Sequence, residues 1–168
     1  NGSYQGRLIG PKAIQRRRIQ EIDAIQVQAR TETQDRRHDP LWLAGLMLYW
    51  AEGTKARYVA VANADPHVIT FMMWWLRTAC RVEECRFRLQ LHLHSGQDEH
   101  RMVEFWSRVT GIPRSQFTKS FVKREGSGKR KRVLYWGTLR VRVNDRNLLY
   151  RILGWIEGFS EAVCGPLA

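Results

Sequence analysis

Apolar and polar residues change period several times along this chain, and each change marks an element. Residues 1–10 hold Gly2, Gly6 and Gly10 among polar side chains and read as a lead-in. Pro11 stands where a helix can begin. Residues 12–36 are rich in helix formers but carry only a thin apolar stripe, Ile14, Ile19, Ile22, Ile25 and Ala29. Such a stripe predicts a partly detached arm or the tail of an interaction surface. The cluster Arg36-Arg37-His38-Asp39-Pro40 is the best boundary, dividing a basic arm over 1–40 from a domain over 41–168.

Residues 41–51 are almost wholly apolar, with Asp39 as cap and Pro40 in the first turn, and predict a helix ending at Glu52-Gly53. A short strand is expected over 58–62, a turn at Asn63-Ala64-Asp65-Pro66, and a helix over 68–80. Residues 86–94 alternate strictly: Arg86, Arg88, Gln90, His92 and His94 point one way, Phe87, Leu89, Leu91 and Leu93 the other. A helix over 98–110 stops at Gly111-Ile112-Pro113. Strands are predicted over 117–123 and 132–143, the second alternating Arg132, Leu134, Trp136, Thr138, Arg140 and Arg142 with a buried set. A last helix covers 144–158. The class is mixed α/β (α+β), and antiparallel strand pairing is expected. Period-two alternation puts one sheet face beneath helices and leaves the other wet.

Charge sharpens that picture. The 168 residues carry a formal net charge of +12, which points to a polyanionic partner. Residues 114–142 hold ten basic side chains against Glu125 alone, so nine of the twelve charges are concentrated there. A surplus so localised favours a binding surface over general solubility. The wet strand face is rich in Arg, Gln and His, which donate to base edges in a major groove, while Lys129, Arg130, Lys131 and Arg132 of the adjoining loop and strand start can neutralise phosphate. A solvated face that happens to be basic is the plainer alternative. The longest apolar run, 41–51, is far short of a membrane span, and no signal-peptide core is present, so membrane partners are excluded. Three Cys residues form no disulfide framework and fit a reducing compartment. A cytoplasmic, nucleoid or organelle-matrix location, and not a secreted one, is expected.

Other constellations carry less. His92-x-His94 with His100 has two imidazoles on one strand face but no fourth ligand at suitable spacing for zinc. Trp74, Trp75, Trp106 and Trp155 sit in helical apolar patterns and read as core or dimer interface. Trp136 is the tryptophan to watch for base or sugar contact. Gly126-Ser127-Gly128 lacks the spacing of a phosphate loop. In the 41–53 helix, Ala44, Gly45, Leu48 and Ala51 are small or apolar at helical spacing and would let a second helix approach closely. Glu52 lies at the helix's negative pole, where an acid is disfavoured, so a nearby cation or a functional purpose is expected. The plainer reading is a core helix ending in a surface Glu and a Gly cap.

Here the sequence resembles the LAGLIDADG homing-endonuclease family. The run from Gly45 to Gly53 lines up with the closing small–acid–Gly residues of the family signature, with Glu52 as the acid. Residues 59–69 look like the family's strand, Asn-x-Asp turn and second helix. The resemblance implies an antiparallel, saddle-shaped sheet with helices on one face, gripping double-stranded DNA. It also implies a homodimer in which Ala44, Gly45, Leu48 and Ala51 pack against their counterparts. Glu52 and Gly53 would hold Mg2+ or Mn2+, and Lys55, Lys119 and Lys123 are candidates for the basic groups at the scissile phosphate. The expected activity is metal-dependent hydrolysis of duplex DNA; a non-cleaving DNA-binding regulator is the alternative, and a structured-RNA binder a third. Tyr49 and Trp50 are bulkier than the family pattern, and one strand stands where a hairpin is usual. Leu153-Gly154-Trp155-Ile156-Glu157-Gly158 echoes the signature faintly and reads as part of the final helix.

Overall fold

The computed structural model describes residues 6–123 and 135–165. Its helices are α1 (Gly6–Arg36), α2 (Pro40–Glu52), α3 (Pro66–Thr78), α4 (Glu99–Thr110) and α5 (Arg146–Cys164). Its strands are β1 (Val59–Asn63), β2 (Phe87–His94), β3 (Phe117–Lys123) and β4 (Thr138–Val143). The helices start where local chemistry tells them to. The Asp39 carboxylate accepts from Leu41 N at 3.0 Å and Trp42 N at 3.1 Å, with Pro40 in the first turn. Asp65 does the same for α3 through His67 N at 2.8 Å, and Asp98 for α4 through Arg101 N at 3.1 Å. Gly111, at φ 74°, closes α4 in the left-handed region that glycine reaches without cost. Helix α1 begins at Gly6, earlier than Pro11 predicts.

Two compact units form, one over residues 39–146 and one joining the N-terminal segment up to His38 with the segment from Asn147 onward. Helix α5 clusters with α1 instead of with the strand before it. In the first unit the sheet order is β1-β4-β2-β3. Strand β4 runs antiparallel to both β1 and β2, but β2 and β3 are parallel. Antiparallel pairing throughout is what the strand patterns predict, and α4 is the reason it fails. A helix inserted between β2 and β3 carries the chain back to its starting end, which makes the next strand parallel.

Helices pack on the face formed by Val59, Val61, Phe87, Leu89, Leu91, Leu93, Leu139, Val141 and Val143, none more than 2% exposed. Burying that many branched and aromatic side chains is the main driving force for this unit. Trp42, Leu46, Tyr49, Ile69, Met72, Trp75 and Trp106 complete its core.

The second unit is a pair of docked helices. Cβ atoms at Gly154 and Gly158 of α5 would lie 2.8 Å from the Ala29 Cβ and 2.9 Å from the Arg30 Cα of α1, so only glycine permits this approach. The echo of the signature near the C-terminus is therefore a helix-packing surface inside α5. Glu32 accepts from the Arg151 guanidinium and from the Trp155 indole N–H at 2.8 Å. Arg30 pairs with Glu157 at 2.7 Å. The thin stripe of α1 is thus supplemented by polar contacts, and Arg18 of its basic triplet bonds Glu21 and Asn147.

Candidate nucleic-acid interface

The open face of the sheet is set by register. Arg142 of β4 stands between Ala60 of β1 and Arg88 of β2; one rung further on, Arg140 stands between Ala62 and Gln90, with Thr118 of β3 beyond. Thr138, His92 and Phe121 form the next rung, and His94 pairs with Lys123. Arg88 is exposed, and Gln90, His92, Arg140 and Arg142 are half-buried. Two arginines directly opposite each other repel, which costs stability of the order of a few tenths of a kcal/mol or more. No Asp or Glu occupies the described strand positions of this face to offset them. Arg140 makes no ion pair or hydrogen bond among the described residues. The Arg142 guanidinium lies over the Tyr58 ring at 5.3 Å. Arg88 Nη1 donates to the Cys85 and Phe87 carbonyls at 2.7 Å, which fixes the guanidinium and leaves Nη2 and Nε free to donate.

Other predicted contacts stand differently. Arg86 precedes β2 and pairs with Asp145 at 2.9 Å, because the Phe87–Val143 pairing sets the two side by side; its charge is already offset. Gln90 Nε2 donates to the Lys119 carbonyl at 3.0 Å, beside the register shift between β2 and β3. His92 sits on the face with Nε2 buried and unpartnered among the described residues, and its ring lies 5.5 Å from Phe121. Burial, then the charge of Arg140, pushes its pKa below the ordinary histidine value. Trp136 is not on a strand. Gly137, at φ 65°, breaks the extended run and β4 starts at Thr138, so Trp136 stacks on Phe105 of α4 at 4.0 Å. Lys129, Arg130, Lys131 and Arg132 lie outside the described residues.

Glu52 ends α2 and is exposed, with no hydrogen bond or ion pair among the described residues. The segment from Gly53 to Thr54 is tightly tied. Gly53 N donates to the Tyr49 carbonyl at 2.7 Å, and a Cβ at Gly53 would fall 2.5 Å from that oxygen and 2.7 Å from the Tyr49 ring. The Tyr49 hydroxyl, its pKa pushed up to about 12 by burial, donates to the Thr54 carbonyl at 2.6 Å. Gly53 bridges to Val61 and Thr54 N donates to the Ala60 carbonyl, so this segment borders β1.

Lys55 is the cation expected near Glu52, but it serves the backbone: Nζ donates to the Trp50 carbonyl at 2.6 Å and the Gly53 carbonyl at 2.7 Å. It thereby neutralises the negative pole of α2. Gly53 O, expected as a metal ligand, is engaged by that ammonium. Lys119 and Lys123 lie on β3, at the opposite edge of the sheet from Gly53, roughly 19 Å away by strand spacing. Both strand positions are thus remote from the Glu52 of their own chain.

On α2, Ala44 and Ala51 are exposed and Leu48 is half-buried, continuing a face that begins at Leu41. Gly45 points elsewhere: a Cβ there would lie 2.0 Å from Trp75 Cδ1, so its smallness serves the α2–α3 contact and not a dimer. Among the described residues no group of three His, Cys, Asp or Glu converges, and no helix is long and apolar enough to cross a membrane. No family model, curated protein or solved structure matches the chain.

Proposed function

We propose that the chain binds double-stranded DNA on the open sheet face and cleaves it as a homodimer, with divalent metal and the Glu52 carboxylates. The observation that carries the binding is the acid-free cluster of Arg88, Arg140 and Arg142 on adjacent strands. Like charges facing each other in a sheet lower stability, and an anionic ligand between them reverses that effect. For cleavage, each chain offers one exposed carboxylate, that of Glu52, at the end of α2. Mg2+ commonly takes one or two carboxylates together with substrate phosphates, so Glu52 fits that demand when two copies meet along Leu41, Ala44, Leu48 and Ala51. The metal, when bound, supplies charge stabilisation and a nucleophilic water at neutral pH. The chain's own part is to hold Glu52 at a rigid helix end, through Tyr49, Gly53 and Thr54, beside β1, whose paired strand β4 carries Arg140 and Arg142.

A second reading, a DNA-binding protein without cleavage, is favoured by Lys55, whose ammonium is committed to the helix-end carbonyls. Glu52→Gln separates the two. On a duplex that the wild type binds, the wild type with Mg2+ or Mn2+ should nick and Glu52→Gln should lose at least about 100-fold of that rate while binding equally well. A wild type that binds but stays inert with either metal leaves only the second reading, and a wild type that binds no duplex overturns both.

A further inference from the structure

The loop between α2 and β1 contains a turn that the fold does not require. Tyr58 N donates to the Ala56 carbonyl at 2.9 Å, closing a three-residue turn around Arg57, whose φ is 70°. Such a positive-φ γ-turn is rare and strained, and a side chain at its centre pays a steric cost that glycine avoids. The other non-glycine with positive φ among the described residues, Arg81 at 55°, is explained locally: it comes just after α3, and Val82 N donates back to the Leu76 carbonyl at 3.0 Å, as in a helix-closing motif. Arg57 closes no helix and satisfies no helix carbonyl. Its side chain is exposed and makes no hydrogen bond, ion pair or ring contact among the described residues. The residues around it are held firmly: Thr54 Oγ1 donates to the Tyr58 carbonyl at 2.7 Å, and Tyr58 lies under Arg142.

We infer that Arg57 is a phosphate-binding residue of the interface, presented by this strained turn on the loop that joins the Glu52 helix tip to β1, the strand paired with the one that bears Arg140 and Arg142. The inference rests on the reading that the sheet binds duplex DNA. An arginine kept where glycine would relax the backbone, with no partner among the described residues, is placed for an external anion, and its planar fork matches two phosphate oxygens.

The test uses the full chain and a duplex oligonucleotide that the wild type binds, titrated over a salt series. Arg57→Gly and Arg57→Ala should each weaken binding about tenfold and flatten the slope of log affinity against log salt by about 0.9, the loss of one phosphate contact. Arg57→Lys should keep that slope. Arg57→Gly should also melt about 2–4 °C higher than the wild type, because the strain is gone, while Arg57→Ala should not gain stability. Unchanged affinity and slope in the glycine and alanine variants would overturn the inference, as would weaker binding accompanied by a lower melting temperature in Arg57→Gly. A wild type that binds no duplex would instead overturn the underlying reading.

Discussion

Gly45→Val is expected to lower the stability of the chain by about 3 kcal/mol, a melting-temperature loss of roughly 6–12 °C. The Cβ it adds would lie 2.0–2.4 Å from Cδ1, Cγ and Nε1 of Trp75. That indole cannot retreat easily. It is fully buried, its N–H donates to the Trp42 carbonyl at 3.0 Å, and Tyr49 stacks on it at 6.3 Å. Close-packed interiors yield little to added volume, so α2 and α3 must separate or the tryptophan must leave its hydrogen bond. Thermal unfolding of the variant beside the wild type reads this directly, and an unchanged melting temperature would show that Gly45 does not face α3.

The second large effect concerns binding. Alanine at Arg140 and at Arg142 should each cost about tenfold in affinity for duplex DNA, and the pair should lower the salt slope by about two. Arg17→Ala on α1 should change affinity by less than about twofold. The contrast comes from the neighbours. Among the described residues Arg140 has no carboxylate partner, and Arg142 faces Arg88 across the strands, so both guanidiniums hold free donors toward one surface. Fluorescence anisotropy with a labelled duplex at several salt concentrations measures all three variants. Equal losses at Arg17 and Arg140 would move the grip away from the sheet.

Much of this fold could be read from local chemistry. Asp39-Pro40, Asp65-Pro66 and Asp98 each announce a helix start, and the alternation of 87–94 and 138–143 sorts side chains between faces, because capping and period two depend only on near neighbours. Pairing direction is not legible in the same way: β2 and β3 are parallel because of where α4 returns the chain, which no strand pattern encodes. Spacing places Gly45 among residues suited to helix contact but does not say which helix it meets. Lys55 lies close to Glu52 in sequence, yet its ammonium turns to the carbonyls of Trp50 and Gly53, a choice decided by the helix dipole and the bend at Gly53. Trp136 leaves its expected face because one residue, Gly137, takes a positive φ. Arg57 carries no signal in the sequence at all, since its strained turn arises only once Thr54 and Tyr58 are tied together.

An arginine cluster that holds duplex DNA on the open sheet face must be shielded by the bound duplex. Arginine-specific chemical modification of the wild-type chain, read residue by residue by mass spectrometry with and without a bound duplex, tests it most directly. Arg140 and Arg142 should be protected by the duplex, while Arg16 and Arg17 of α1, and the exposed Arg81 after α3, should react as in the free chain. Protection confined to α1, with Arg140 and Arg142 modified equally in both samples, would contradict the account.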